Sequence, residues 1–79
     1  MVNEPMITAA QVRAARGWLH WTQDDLSRRS GVSQRSIARF ELELTRPYNS
    51  TLEQLRKVFE VEGLRFEFDG ITGTGIRMG

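Results

Sequence analysis

The chain has no cysteine, and only two prolines and one histidine among its 79 residues. Without cysteine it can form neither a disulfide nor a zinc–cysteine site, and a reducing compartment, the cytoplasm, is the expected location. No apolar run approaches the ~20 residues that span a membrane. The N-terminus, MVNEPMITAA, lacks a basic segment followed by a long apolar run, so we expect no signal peptide.

Residues for catalysis are equally sparse. His20 has no second histidine or cysteine to complete a metal site, and no glycine-rich phosphate loop follows a strand. Asp24 and Asp25 are adjacent on a predicted helix, where neighbours do not face one another, so they are expected to favour the helix start rather than acid–base catalysis. We therefore expect no enzyme, no metal and no cofactor.

Charge is nearly balanced overall but unevenly distributed along the chain. The net charge is +1, yet residues 13–46 contain seven arginines against four acidic residues, a local charge of +3. Residues 47–79 carry a charge of −1. Arginine binds phosphates and guanine edges in two-point fashion better than lysine does. The arginine-rich middle is compatible with a nucleic-acid surface and equally with an ordinary solvated one.

Apolar spacing and capping signals predict four helices, at about 8–17, 22–30, 34–42 and 51–62. Thr8 with Gln11, and Ser50 with Glu53, have the spacing of capping boxes at the starts of the first and fourth helices. Gly17 is placed near the end of the first helix.

The second and third helices are separated by the short turn Gly31-Val32-Ser33. Two short helices joined by a three- to four-residue turn that contains glycine are typical of a helix-turn-helix unit. Trp21 is predicted to pack as a hydrophobic staple at the start of the second helix, and Trp18 to lie in the core.

After the predicted helices, the spacing of apolar residues changes from a helical period to alternation at every second residue. Residues 64–69 alternate apolar and polar residues, which predicts a half-buried strand, and 74–78 can form a second, weaker strand. The predicted organisation is a disordered tail at 1–5, a helical domain at 6–63 and a β extension at 64–79.

The β extension is interpreted as a dimerisation element. Two strands alone are marginally stable, and an exposed strand edge invites pairing with another chain. The alternative is a private hairpin that covers the chain's own helical core. The predicted dimer contacts are Leu64, Phe66, Phe68, Ile76 and Met78.

The third predicted helix has a polar outer face. If Ile37 and Phe40 face inward, the polar side chains of the first turn are exposed, and Arg39 lies one turn further on. A helix fits the DNA major groove with its N-terminal residues at the base edges, where glutamine can pair with adenine and arginine with guanine. The predicted base-reading residues are Gln34, Arg35, Ser36 and Arg39.

The segment TQDDLSRRSGVSQRSIARFE, residues 22–41, resembles the helix-turn-helix of phage repressors, Cro proteins and the Xre family of bacterial regulators. The resemblance runs from about Thr8 to about Glu62, through RAARG at 13–17, the TQ pair, Leu26, GVS and SIARFE. It implies a mainly α fold: a lambda-repressor-like four-helix DNA-binding domain, here with a C-terminal β-strand or hairpin.

The resemblance also implies roles for individual residues. Gln23 would bind a phosphate, Gln34, Arg35 and Arg39 would read bases, and Arg16 would pair with Glu41. The predicted phosphate contacts are Thr22, Gln23, Ser33, Arg16 and Arg46. One departure stands out, because the position two after Glu41, usually glycine in that family, is Glu43.

The expected function is sequence-specific binding of double-stranded DNA by a transcriptional regulator, a repressor acting as a homodimer on a palindromic operator. The alternative is an antitoxin or adaptor whose main role is to bind a partner protein, such as a toxin. Exposed Leu42 and Leu44 and a free strand edge would serve that second role.

Overall fold

The structure, a computed structural model, describes residues 6–79, and the tail predicted at 1–5 lies outside them. Four helices are followed by an antiparallel two-stranded hairpin, which confirms the predicted mainly helical fold with a C-terminal β element. None of the helices in this range is long and apolar enough to cross a membrane. The elements are α1 (Ala9–Leu19), α2 (Gln23–Ser30), α3 (Gln34–Glu41), α4 (Asn49–Val61), β1 (Leu64–Asp69) and β2 (Thr72–Met78).

The turn between α2 and α3 is built from local signals. Gly31 ends α2 in the left-handed region with φ 77°, a conformation that costs glycine little because it has no Cβ. Ser33 then caps α3, where its hydroxyl accepts a 3.1 Å hydrogen bond from the Ser36 backbone N–H. These two features fix where α3 begins, and therefore which of its side chains face outward.

One core joins the helices to the hairpin. Its largest fully buried side chains are Phe59, Leu26, Ile37, Leu55, Leu64 and Val12. Trp21 stacks on Phe59 at 5.4 Å between ring centroids, as expected for a residue that packs against the core. The prediction for Trp18 is wrong, because 60% of its surface is exposed. At the C-terminal end of α1 this side chain projects beyond the core, which Val12 and Ala15 reach from the preceding turns.

Two helix boundaries differ from the prediction. Helix α1 continues through Gly17 and ends at His20, which takes the left-handed conformation with φ 58°. The capping box predicted at Ser50 and Glu53 is absent: α4 begins two residues before Thr51, with Tyr48 at the N-cap and no side-chain cap hydrogen bond. The capping box of Thr8 at α1 is present, as predicted.

The hairpin packs its inner face on the chain's own helices. Leu64 pairs with Met78 and Phe66 with Ile76, while Phe66 also meets the ring of Phe59 edge-on. Leu64 and Phe66 are buried within the same chain, so a dimer cannot use them as surface contacts unless the core opens. Contact of these two residues with a second chain, like a dimer through residues 64–78, stays a prediction.

Gln11 ties α1 to the hairpin. Its side chain is only 3% exposed, and its Nε2 donates to the backbone oxygens of Glu67 at 2.8 Å and Gly75 at 2.9 Å. Its Oε1 accepts from the Thr8 backbone N–H at 2.9 Å. The hydrogen bonds lie beside the bulge that follows Glu67. One buried amide thus joins the start of α1 to both strands.

Just after α3, one residue has a strained backbone conformation that a substitution would relieve. Glu43 has φ 59°, a left-handed conformation that costs an ordinary residue about 1–2 kcal/mol. Glycine avoids that strain but gains entropy in the unfolded chain, so we expect Glu43→Gly to raise the free energy of unfolding by about 0.5–1 kcal/mol. Urea denaturation measures this. Glu43→Ala keeps the strain and is the matched control; an equal gain from alanine would contradict the conformational explanation.

Candidate nucleic-acid interface

The outward face of α3 has the composition predicted from the sequence. Ile37 and Phe40 are buried, which turns the polar side chains of the helix toward solvent. All four predicted base-reading residues are exposed: Gln34, Arg35, Ser36 and Arg39. Arg35 and Arg39 lie four residues apart and therefore share one side of the helix. Their contact with DNA bases stays a prediction.

The exposed arginines differ in whether an acidic residue neutralises them. Arg28 on α2 lies 2.8 Å from Asp25 and 3.3 Å from Asp24. Arg29 lies 3.6 Å from Glu62, with its guanidinium 4.3 Å from the centre of the Trp21 ring. By contrast, within residues 6–79 no ion pair involves the arginines of α3 or the loop after it, namely Arg35, Arg39 and Arg46. Their positive charge remains available to an external anion.

The start of α2 is capped reciprocally. The Thr22 hydroxyl accepts from the Asp25 N–H at 3.0 Å, and the Asp25 carboxylate accepts from the Thr22 N–H at 2.9 Å. Hydrogen bonds from the backbone N–H and then the hydroxyl of Thr22 lower the pKa of Asp25, with a further contribution from Arg28. The cap therefore occupies both groups of Thr22, and the amides of Gln23 and Asp24 are the ones left for a phosphate.

Glu41, at the end of α3, is the centre of a buried polar network. Its side chain is 4% exposed and accepts from Arg16 Nε at 2.6 Å and from a terminal nitrogen of Arg16 at 2.7 Å. Gln23 Nε2 donates to the same carboxylate at 3.2 Å. The hydrogen bonds that the Arg16 guanidinium donates to Glu41 raise the pKa of Arg16. The network joins α1, the first residue of α2 and the last residue of α3.

The network uses two side chains that the prediction assigned to phosphate. Arg16 directs three nitrogens inward, two to Glu41 and one to the Trp21 carbonyl at 2.9 Å, so its exposed part is small. Gln23 retains one amide hydrogen for a phosphate after donating to Glu41. Thr22, Ser33 and Arg46 are exposed, and the hydroxyl of Ser33 is engaged in its cap. All of these phosphate contacts stay predictions.

Arg13 was missed by the sequence reasoning. Its guanidinium donates to the backbone carbonyl of Glu41, which is the last residue of α3. Arg13 lies three residues before Arg16 and so on the same side of α1, a spacing that could have indicated a shared target. Together the two arginines hold the C-terminal end of α3 against α1.

This geometry leaves one face of a short, capped helix open to solvent. The capped N-terminus of α3 carries an amide, a hydroxyl and one guanidinium group, a second guanidinium lies one turn further on, and the far end of the helix is anchored through Glu41. The major groove admits an α-helix whose N-terminal side chains contact base edges. The start of α2 lies beside the anchored end, where a backbone phosphate would find free amides.

Comparison with known proteins agrees with this geometry. A family model described as helix-turn-helix matches residues 12–65, more than half of the chain. The matched segment contains the whole of α2, α3 and α4. A search of curated proteins finds no match. The chain belongs to the Xre/Cro-type helix-turn-helix family, a family of DNA-binding regulators.

Proposed function

We propose that the protein is a sequence-specific transcriptional repressor that binds a palindromic operator as a homodimer. The observation that carries the proposal is the exposed face of α3, where Arg35 and Arg39 lack acidic partners among the described residues. On a solvated helix face, two unneutralised arginines one turn apart only repel each other, whereas a DNA-binding face needs them free. A DNA partner also makes the cytoplasm the working compartment.

In this mechanism α3 supplies direct readout. Each two-point contact between an arginine and guanine, or between Gln34 and adenine, contributes about 1–3 kcal/mol of discrimination against the wrong base. Gln23, the free amides at the start of α2 and Arg46 bind phosphates and set the register of the protein on the duplex. Repression is steric, because a bound dimer blocks polymerase from the same DNA.

A single domain of this size reads few bases, so affinity and specificity require two copies. A twofold dimer would place two α3 helices one DNA turn apart, roughly 34 Å, on the two halves of a palindrome. The hairpin of residues 64–78 supports this proposal because β2 is paired with β1 on one side and has no strand on its other side among the described residues. The operator recovered by selection from random DNA should therefore be an inverted repeat.

The proposed base-reading role of Arg39 is tested by comparing its substitution with that of Arg28, an exposed arginine that already has acidic partners. After selection of an operator, we expect Arg39→Ala to weaken binding about tenfold or more and to relax the base preference at one position of each half-site. Fluorescence anisotropy on selected and single-mismatch duplexes measures both effects. Arg28→Ala is the matched control, since Asp24 and Asp25 already neutralise that side chain, and its effect should be small.

Gln23→Ala provides the contrasting case in the same experiment. Because a phosphate contact carries no base preference, this variant should weaken selected and random DNA alike. If Arg39→Ala and Gln23→Ala both changed affinity equally on every sequence, base reading by α3 would be rejected.

A second candidate function is supported by the loop between α3 and α4. Leu42 is 70% and Leu44 62% exposed, and Tyr48 is also exposed, which is unusual for three large side chains so close in sequence. An antitoxin or adaptor that binds a partner protein, such as a toxin, would cover them. Failure to bind any DNA at low salt would favour this alternative over the repressor.

A further inference from the structure

The C-terminal end of α3 leaves one backbone carbonyl without a backbone donor. The Leu44 N–H donates to the Arg39 carbonyl at 2.9 Å. The Glu43 N–H donates to the Phe40 carbonyl at 2.8 Å, and the two hydrogen bonds form the Schellman pattern of a helix end. Among the described residues, no backbone N–H donates to the carbonyl of Glu41, the last residue of α3. Such an orphan carbonyl lies at the negative end of the helix dipole.

A side chain of another helix supplies the missing donor. The guanidinium of Arg13, on α1, donates to the Glu41 carbonyl from 28 residues earlier in the chain. Within residues 6–79, Arg13 takes part in no ion pair. Its positive charge therefore lies at the C-terminal end of α3, where the helix dipole favours a cation. Arg13 thus serves as the C-terminal cap of a helix to which it does not belong.

The contact of Arg13 with α3 differs in kind from that of Arg16. Arg16 binds the Glu41 carboxylate, whose side-chain torsions allow it to follow a shift of the backbone. Arg13 binds the backbone of Glu41 itself, so its hydrogen bond constrains the axis of α3 directly. Arg13 also follows Val12, which is fully buried in the core. The contact is therefore made from a helix that the core holds in place.

The two ends of α3 are held in different ways. At its start, the turn of residues 31–33 ties the helix covalently to α2. At its far end, the chain continues into a loop in which Leu42 and Leu44 are exposed. Apart from the packing of Ile37 and Phe40, the contacts with α1 are therefore what keeps this eight-residue helix from swinging about its start.

We propose that Arg13 is a positioning residue for base reading, which fixes the tilt of α3 through the Glu41 carbonyl. The inference rests on the proposed function, because it concerns how the base-reading side chains are placed. Two-point contacts with base edges require placement within about 0.5 Å and 10–20°. Contacts with phosphates are electrostatic and carry no base preference, so they tolerate small shifts. Loss of Arg13 should therefore reduce binding of the selected operator more than binding of random DNA.

A swing about the start of α3 does not displace all base-reading residues equally. At a rise of about 1.5 Å per residue, Arg39 lies about 9 Å along the helix from the Ser33 cap, and Arg35 about 3 Å. One change in tilt therefore moves Arg39 about three times as far as Arg35. In a chain without Arg13, the base position read by Arg39 should lose its preference first, while the position read by Arg35 keeps most of its own.

Arg13→Met tests the proposal, since methionine keeps an apolar stem and a high helix propensity but removes the donor and the charge. By fluorescence anisotropy we expect the selected operator to bind about tenfold more weakly. Random DNA should bind as before, with an unchanged dependence on salt. Arg13→Lys retains a cationic donor, which suffices for a single carbonyl, and should restore operator binding. Arg28→Met is the matched control, because it removes the same charge from a residue whose ion pairs lie within α2.

Amide hydrogen exchange, measured without DNA, gives a second and independent readout. The Glu43 and Leu44 amides close the end of α3. In Arg13→Met they should exchange about fivefold faster, as expected when one hydrogen bond at the helix end is lost. A general loss of stability would instead speed exchange inside α4, at Leu55 and Phe59, by the same factor.

Three results would overturn the proposal. If Arg13→Met weakened selected and random DNA equally, with a salt dependence lower by about one phosphate contact, Arg13 would be a phosphate ligand instead. Unchanged operator binding, or amides at the end of α3 that exchange no faster than those of α4, would show that Arg13 does not position the helix. An original chain that selects no DNA sequence would remove the proposed function, whereas the exchange measurement would still decide whether Arg13 holds α3.

Discussion

Glu41→Ala is expected to lower the free energy of unfolding by about 3 kcal/mol, because removing one partner of a buried ion pair leaves the other charge uncompensated. Arg16 would keep a half-buried, charged side chain with no carboxylate, at 20% side-chain exposure. That exposure places the effect at the low end of the 3–5 kcal/mol typical of buried pairs. Since small domains have only about 5–15 kcal/mol in total, urea denaturation should show a large shift of the midpoint.

DNA binding should fall further than the loss of folded protein explains. Without the carboxylate, Gln23 loses the acceptor that orients its amide, and the end of α3 loses its side-chain anchor to α1. Anisotropy at a temperature where the variant is fully folded separates this effect from unfolding. Glu53→Ala, on an exposed position of α4, is the control and should change neither stability nor binding.

A double substitution distinguishes charge from packing. Arg16→Met combined with Glu41→Leu removes both charges and keeps apolar volume, so it should recover most of the lost stability. It should not recover DNA affinity, because Gln23 remains without its acceptor. If Glu41→Ala unfolded no more easily than Glu53→Ala, the network would not stabilise the domain.

The helical part of the fold could be predicted because its signals are local. Caps such as Thr8 and Ser33, and the glycine between α2 and α3, act within three or four residues of the backbone they satisfy. Where local signals competed, the prediction was wrong. Gly17 did not end α1, since helix interiors tolerate glycine at a cost of ~1 kcal/mol, and the Ser50–Glu53 spacing did not form a cap.

The candidate site could be predicted only as far as helix periodicity reaches. Which side of α3 faces outward follows from Ile37 and Phe40, and the exposed residues follow from that. Helix periodicity does not show which arginines are neutralised, because Arg29 forms an ion pair with Glu62, at the end of a different helix. The position of Trp18 likewise depends on how far the core extends beneath α1.

Polar contacts between residues far apart in the chain could not be predicted from local sequence patterns. Gln11 was assigned to a capping box, and it forms one, but the same amide also reaches Glu67 and Gly75 more than fifty residues later. That second role depends on the bulge in the hairpin, which exists only once β1 and β2 have paired. A residue that serves both the local cap and the hairpin couples the two parts of the fold.

This coupling places Gly73 of the hairpin directly against the Gln11 amide. A Cβ added there would lie 2.5 Å from the Gln11 side-chain carbon Cδ, too close for any unshifted contact. Gln11 could move only by breaking its hydrogen bonds to Glu67 and Gly75, and a buried amide left unsatisfied costs about 1–3 kcal/mol. We therefore expect Gly73→Ala to lower the free energy of unfolding by about 2 kcal/mol or more, measured by urea denaturation.

Gly75→Ala is the matched control for Gly73→Ala, in the same strand. A Cβ at that position meets its nearest neighbour, a Glu67 carboxylate oxygen, at an ordinary 3.5 Å, so the loss of stability should be small. Adding Gln11→Ala to Gly73→Ala should cost less than the sum of the two single changes, because the clash and the hydrogen bonds involve the same amide. Additive losses would show that Gly73 and Gln11 do not interact, and that the amide does not hold the hairpin to α1.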